Sequence, residues 1–137
     1  MRRLSAATWS LILLLAALLL WAWAVRAEAC GTATVVSIES VIDGDTFRAD
    51  LQIWPHLVIT ETVRVLGVDT PERQDLDRWK AARDFTVAWL ASDGIIIVVC
   101  KYDSFGRALG QVLSRAKGDL AAALIAAGHG VVYERRK

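Results

Sequence analysis

The stretch LVITETVRVLGVDTPE, residues 57–72, decides how this chain folds. Over residues 57–65 the side chains alternate between two faces, which predicts a strand with one face toward a core. Thr70-Pro71 ends the extended segment, because proline has no N–H to donate to a neighbouring strand. Arg64, Asp69 and Glu72 therefore fall where the strand ends, and a barrel would gather such groups at one rim.

Two further strands are predicted on the N-terminal side of this stretch. Residues 33–39 are short, β-branched and partly alternating, and Asp43-Gly44 supplies a hairpin turn. Residues 46–53 alternate clearly and predict a half-buried strand, which Trp54-Pro55-His56 interrupts. The region from 33 to 65 is thus expected to form three strands joined by short turns.

A helix is predicted on the C-terminal side of Pro71. Apolar residues recur at helical spacing between Leu76 and Leu90, Asp75 or Asp77 can cap the start, and Asp93-Gly94 ends the helix.

Two strands and a second helix are predicted after it. Residues 95–100 are continuously apolar and predict a strand buried on both sides, and after a turn over residues 102–107 a fifth strand covers residues 108–113. Asp119 is expected to cap a short helix over residues 120–127, closed by Gly128. This order predicts a mainly β fold, a small closed barrel of five strands with helices, which leaves no strand edge exposed.

The first 29 residues predict a leader. Arg2-Arg3 precede 22 uncharged residues, 4–25, and Ala27-Glu28-Ala29 has the small-x-small pattern of a cleavage site. A cleaved signal peptide would leave a domain of residues 30–137 outside the cytoplasm, secreted or periplasmic. The alternative is an uncleaved membrane anchor over residues 4–25, since 22 helical residues span a hydrocarbon core of about 30 Å.

The charge of the predicted domain argues against tight nonspecific binding to nucleic acid. Residues 30–137 carry 13 basic and 14 acidic side chains, whereas such binders are usually basic. A small enzyme that releases its product remains compatible with this balance. We expect it to be a monomer.

The two cysteines, Cys30 and Cys100, would both lie in an oxidising compartment. One disulfide between them is expected there. A buried thiol at Cys100 or a lipid-modified Cys30 are the alternatives.

Acids and arginines recur beside the predicted turns, in residues 43–46, 64–72 and 102–107. Taken singly, each has an ordinary explanation as a turn residue or a solvated charge. Together they contain what phosphodiester hydrolysis requires: carboxylates for a hard divalent cation, a carboxylate base, and guanidinium groups that match phosphate oxygens. His56 and His129 do not form a zinc-type cluster with the cysteines.

The chain resembles the thermonuclease family, of the staphylococcal (micrococcal) nuclease type, over residues 35–133. The resemblance is carried by IDGDT at 42–46, VRVLGVDTPE at 63–72 and FGR at 105–107. It implies a five-stranded OB-fold barrel with two packed helices, here without the prototype's third, C-terminal helix. It also implies a nuclease acting on DNA and RNA, with single strands or frayed duplexes preferred.

By position, the resemblance implies a Ca²⁺ ion bound by this chain. Asp45 and Asp69 would ligate it through their carboxylates and Thr70 through its backbone carbonyl, and Asp43 would lie near it, acting through water.

The resemblance also implies the groups that carry the reaction. Glu72 corresponds to the general base, and Arg64 and Arg107 to the pair that grips the phosphate and stabilises the transition state. Phe105 would offer an aromatic face to the substrate.

The chain departs from the family at positions that contact the substrate in the prototype. Ser104-Phe105 replaces the usual Lys-Tyr, and a short loop with two acids replaces the basic loop after the glutamate. These changes motivate a second hypothesis, a catalytically silent OB-type module that binds nucleic acid or protein.

Overall fold

The computed structural model describes residues 12, 14–17 and 29–133. The predicted leader lies outside this part of the chain, except for Ala29 and the helical residues 12 and 14–17. Residues 134–137 of the predicted domain lie outside it as well. Among the described residues, no helix has the length and apolar character needed to cross a membrane.

Five long strands form a closed barrel. Strands β1 (Gly31–Asp43), β2 (Thr46–Trp54) and β3 (Leu57–Val65) follow one another in an antiparallel meander. Strand β5 (Ile95–Tyr102) pairs antiparallel with β1 and with β6 (Ala108–Ser114), and β6 closes the barrel by pairing parallel with β3. The predicted five-stranded OB-type barrel is confirmed.

Short strands and two helices complete the described domain. Strand β4 (Val68–Asp69) pairs with β8 (Val131–Val132), and β7 (Gly118–Asp119) adds to the edge of β6. Helix α1 (Leu76–Leu90) connects β4 to β5, and helix α2 (Leu120–Ala126) follows β7. The pairing of β4 with β8 was not foreseen, because two-residue strands leave no periodic pattern in a sequence.

Both helices begin at an aspartate. Asp75 caps α1, where its side chain accepts a hydrogen bond from the backbone N–H of Arg78, and Asp119 caps α2 by accepting from Ala122. Gly128 has a φ of 74°, the left-handed conformation that glycine adopts without strain, just after α2 ends. Of the two candidate caps of α1, the structure uses Asp75, and the predicted cap and end of α2 are confirmed.

The core fills the barrel and the space beneath the helices. Its largest fully buried side chains come from four barrel strands, from β4 and from both helices: Phe47, Val63, Val68, Thr86, Ile97, Val112, Leu120 and Leu124. Burial of such side chains is the main source of stability in a domain of this size.

One predicted burial is wrong, and two apolar residues of the predicted elements are exposed. Strand β5 is not buried on both sides: Ile96 is 37% exposed and Cys100 is exposed, because a barrel strand turns only alternate side chains inward. Ile53 is exposed because it belongs to a hairpin tip, residues 52–58, that is exposed throughout. Leu76 is exposed in the first turn of α1, so the apolar stripe begins to pack only further along the helix.

Candidate active site

The three predicted charged segments meet at one open cavity of about 420 Å³. The register of the barrel explains why: Thr46 of β2 lies opposite Arg64 of β3, and Arg64 lies beside Leu109 of β6. Strand β6 therefore starts beside the last three residues of β3, and the turn that carries Arg107 lies directly before it. The cavity is lined by Ile42, Asp43, Asp45, Thr46, Arg64, Asp69, Thr70, Pro71, Glu72, Arg73, Gln74 and Arg107.

Asp45 is a buried carboxylate whose two oxygens are both engaged. One oxygen accepts hydrogen bonds from the backbone N–H and the hydroxyl of Thr70, at 2.7 and 2.8 Å. The other accepts from the hydroxyl of Thr46 at 3.0 Å and pairs with Nη1 of Arg64. A charge that is 3% exposed is tolerated only with such a full set of partners.

Arg64 joins two carboxylates. While Nη1 pairs with Asp45, Nη2 donates to Oδ1 of Asp69 at 2.7 Å. Burial lowers the pKa of Arg64, but the hydrogen bonds and charges of Asp45 and Asp69 outweigh it and raise the pKa above its usual value. The carboxylates of Asp45 and Asp69 therefore both contact one guanidinium group, each through a different Nη atom.

Glu72 differs from the other carboxylates of the cavity because it is exposed and unengaged. Within the described residues its side chain makes no hydrogen bond or ion pair, so both oxygens are open to water. Asp43 is half-buried, and its Oδ1 accepts a hydrogen bond of 2.7 Å from Nε1 of Trp79. The two acids thus differ sharply in their freedom to bind a ligand.

Arg107 is held by a carboxylate of its own turn. Asp103 accepts from the backbone N–H of Arg107 at 2.9 Å and from its Nε at 2.7 Å. The guanidinium carbon also lies 5.3 Å from the ring centroid of Phe105, which is 82% exposed at the rim. With Nε occupied, the Nη groups of Arg107 are left to contact a ligand in the cavity.

The turn that carries Asp43 and Asp45 packs against helix α1 without space to spare. A Cβ added to Gly44 would lie 2.8 Å from Cβ of Ala82 and 2.9 Å from Cγ2 of Thr70. Thr86 of α1 donates its hydroxyl hydrogen to the carbonyl of Gly44. Only glycine fits at position 44 in this close approach. The contact with α1 fixes the position of the turn that carries Asp43 and Asp45.

All seven predicted catalytic and ion-binding residues line the cavity, while Phe105 lies beside it. Cys30 and Cys100 lie elsewhere and form a disulfide between the start of β1 and β5. Asp103, Trp79 and Arg73 were missed as contributors. A signal existed only for Asp103, an acid four residues before an arginine within one turn.

The donor chemistry of the cavity suits a hard cation. Asp45 and Asp69 both pair with the guanidinium of Arg64, and Thr70 follows Asp69 directly in sequence. Oxygen donors of this kind are what Ca²⁺ takes in proteins. Over residues 12, 14–17 and 29–133, however, no three His, Cys, Asp or Glu side chains already converge as a metal-binding group.

Comparison with known proteins gives a family. The family model for staphylococcal nuclease homologues matches residues 62–137, which is more than half of the chain and includes Arg64, Glu72 and Arg107. No curated protein matches the chain.

Proposed function

The chain belongs to the family of staphylococcal nuclease homologues, and from that premise we propose that it is a calcium-dependent nuclease that hydrolyses phosphodiester bonds of DNA and RNA. The observation that carries the proposal is the single cavity in which an unengaged Glu72 lies with Arg64, Arg107 and the carboxylates of Asp45 and Asp69. The products would carry 3′-phosphates, as the family resemblance implies.

The ion would be held by Asp45, Asp69 and the backbone carbonyl of Thr70. When bound, Ca²⁺ supplies positive charge that stabilises the negative charge developing on the phosphorane. The single positive charge of Arg64 now pairs with two carboxylates, those of Asp45 and Asp69. With a cation held by these carboxylates, the Nη groups of Arg64 would be available to phosphate oxygens.

Glu72 acts as the base in this proposal. Its carboxylate takes a proton from a water molecule, whose oxygen forms the new bond to phosphorus while the bond from phosphorus to the 5′ oxygen breaks. The leaving 5′ oxygen takes up a proton, and Glu72 returns its own proton to solvent. The absence of any hydrogen bond or ion pair to Glu72 among the described residues supports this role, because a base must have a free lone pair.

Arg64 and Arg107 grip the phosphate. A planar guanidinium donates to two phosphate oxygens at once, and these donors stabilise the extra charge of the five-coordinate transition state. Arg107 is already oriented by Asp103, so it loses little freedom on binding.

The test is digestion of single- and double-stranded DNA by the purified protein, with calcium and with a chelator. We expect calcium-dependent cleavage, a loss of about 10²- to 10⁴-fold in kcat for Glu72→Gln, and a comparable loss for Arg107→Ala. Asp93→Asn removes an exposed carboxylate that does not line the cavity and serves as the control.

Absence of calcium-dependent cleavage, or a Glu72→Gln variant as active as the parent, would refute the nuclease proposal. Binding of DNA without any cleavage would instead favour the silent OB-type module, which the exposed aromatic face of Phe105 also supports.

We further propose that the domain works outside the cytoplasm. The disulfide between Cys30 and Cys100 supports this location, because disulfides persist in oxidising compartments. N-terminal sequencing of the exported protein distinguishes the two forms of the leader: a chain that starts at Cys30 means a cleaved signal peptide, and one that retains Trp21 means a membrane anchor over residues 4–25.

A further inference from the structure

A third arginine lines the cavity beside the proposed base. Arg73 directly follows Glu72, is exposed, and has its guanidinium carbon 5.1 Å from the ring centroid of Trp79. A guanidinium against an indole ring is attracted by the electrons of the ring while its N–H edges stay open to other partners. Neither the proposed reaction nor the family resemblance assigns Arg73 a role.

The aromatic ring under Arg73 is fixed in place. Trp79 lies in the first turns of α1, is half-buried, and donates its Nε1 hydrogen to Asp43 at 2.7 Å. A second guanidinium, that of Arg83, lies 6.0 Å from the same ring centroid and donates from Nε to the carbonyl of Val41 at 2.8 Å. The ring therefore forms a fixed support for Arg73 at the edge of the cavity.

Arg73 also differs in charge balance from the two other arginines of the cavity. Arg64 is paired with Asp45 and Asp69, and Arg107 with Asp103. Within residues 29–133, Arg73 has no carboxylate partner and no hydrogen bond from its side chain. Among the arginines that the structure describes in this cavity, only Arg73 has all of its N–H donors open to a ligand.

We propose that Arg73, supported by Trp79, is a second phosphate-binding position of the cavity, taking a backbone phosphate next to the one that is cleaved. The inference rests on the nucleic-acid substrate proposed above. A guanidinium already covers the indole ring, so the incoming ligand meets N–H donors, which match phosphate oxygens better than a base.

The test is the salt dependence of oligonucleotide binding. A labelled oligothymidine of about eight nucleotides is titrated by fluorescence anisotropy against the full chain, with calcium, in sodium chloride from about 0.05 to 0.2 M. All proteins carry Glu72→Gln, so that the oligonucleotide is not consumed. The variants compared are Arg73→Ala, Arg73→Lys and Arg115→Ala.

Loss of one phosphate contact has a defined signature. For Arg73→Ala we expect the slope of log K against log salt to become shallower by about 0.7, with affinity reduced about 3- to 10-fold at the lowest salt. Arg73→Lys keeps the charge and should retain most of the slope. Arg115→Ala removes the same charge from an exposed turn that does not line the cavity, and it should change neither quantity.

Other outcomes separate this inference from the proposed function. An Arg73→Ala slope equal to that of Arg115→Ala overturns the inference even if the parent cleaves DNA. If Arg73→Ala lowers the melting temperature but leaves the slope unchanged, Arg73 only stabilises the loop that contains it, and the inference is overturned. The inference is also overturned if the Glu72→Gln protein does not bind the oligonucleotide. A slope that depends on Arg73 in a protein that does not cleave supports the phosphate position and refutes only the nuclease.

Discussion

At the scale of single residues, Asp103 shows how a buried acid can set the position of an arginine, here the Arg107 that we propose to be catalytic. Its carboxylate is 5% exposed and accepts hydrogen bonds from the backbone of Phe105 and from the backbone and Nε of Arg107. Burial raises the pKa of Asp103, but these hydrogen bonds and the charge of Arg107 outweigh it, leaving the pKa below its ordinary value of 3.8. Asp103 is a positioning residue, since it acts through Arg107.

Replacing Asp103 by asparagine should loosen this turn. An amide nitrogen cannot accept the hydrogen bonds of a carboxylate oxygen, so we expect the free energy of unfolding to fall by about 1–3 kcal/mol. Cleavage should fall as well, while the affinity for calcium stays unchanged. The test measures urea unfolding, kcat and calcium affinity for the same protein, with Asp93→Asn as the exposed control. Normal cleavage by a properly folded Asp103→Asn protein would contradict the positioning role.

The lowered pKa of Asp103 also predicts a pH dependence. A carboxylate whose pKa is depressed by folding stabilises the protein above the unfolded pKa, near 3.8, and loses that contribution as the pH falls through the folded pKa. The stability difference between the parent and Asp103→Asn should therefore be full at neutral pH and shrink below about pH 4. Thermal unfolding across that range measures it, and a difference that grows on acidification would contradict the assignment.

At the scale of elements, the two helix caps should contribute unequally. Asp119 accepts from the backbone N–H of Ala122 at 3.1 Å and from Nε2 of Gln111 at 2.9 Å, so it ties α2 to β6. Asp75 accepts a long hydrogen bond of 3.4 Å from the backbone N–H of Arg78. Its only other side-chain partner among the described residues is the guanidinium of Arg78, in an exposed ion pair.

We expect Asp119→Ala to lower the free energy of unfolding by about 1–2 kcal/mol and Asp75→Ala by less than about 0.5 kcal/mol. Asp119→Asn should recover most of the loss, because asparagine also caps helices well. Chemical denaturation gives the three values, and a larger loss at Asp75 than at Asp119 would show that the cap distances do not govern stability.

At the scale of the whole molecule, the disulfide connects distant parts of the chain. Gly31 of β1 pairs with Val99 of β5, which brings the adjacent Cys30 and Cys100 together across 70 residues of sequence. Closing a loop of this length in the unfolded chain stabilises the fold by roughly 4 kcal/mol on the chain-entropy model. For a small domain this is a large fraction of the total stability.

Removing the disulfide should therefore lower the melting temperature by more than about 10 °C, either in Cys30→Ser/Cys100→Ser or in the parent with reductant. Calorimetry with and without reductant measures the change, and the double variant, which has no disulfide to reduce, controls for effects of the reductant itself. Equal thermal stability of the parent in both conditions would mean that the disulfide contributes little to stability.

The sequence by itself determined the local features of the fold. The alternation over residues 57–65 identified strand β3 with its correct ends, Asp119 and Gly128 marked the start and end of α2, and Asp75 was one of two candidate caps for α1. These features depend on neighbours within a few residues, so their physics is visible in the chain. The motif spacing likewise identified the family, and with it the barrel.

Only the tertiary structure decided which charged groups meet. The parallel pairing of β3 with β6 brings Arg107 to the cavity of Asp45 and Arg64, and it joins segments more than forty residues apart in sequence. The same packing left Arg73 without a carboxylate partner among the described residues, and it exposed the outer face of β5. Charge and hydropathy show what a side chain can bind, whereas strand register and burial determine which partner lies within reach.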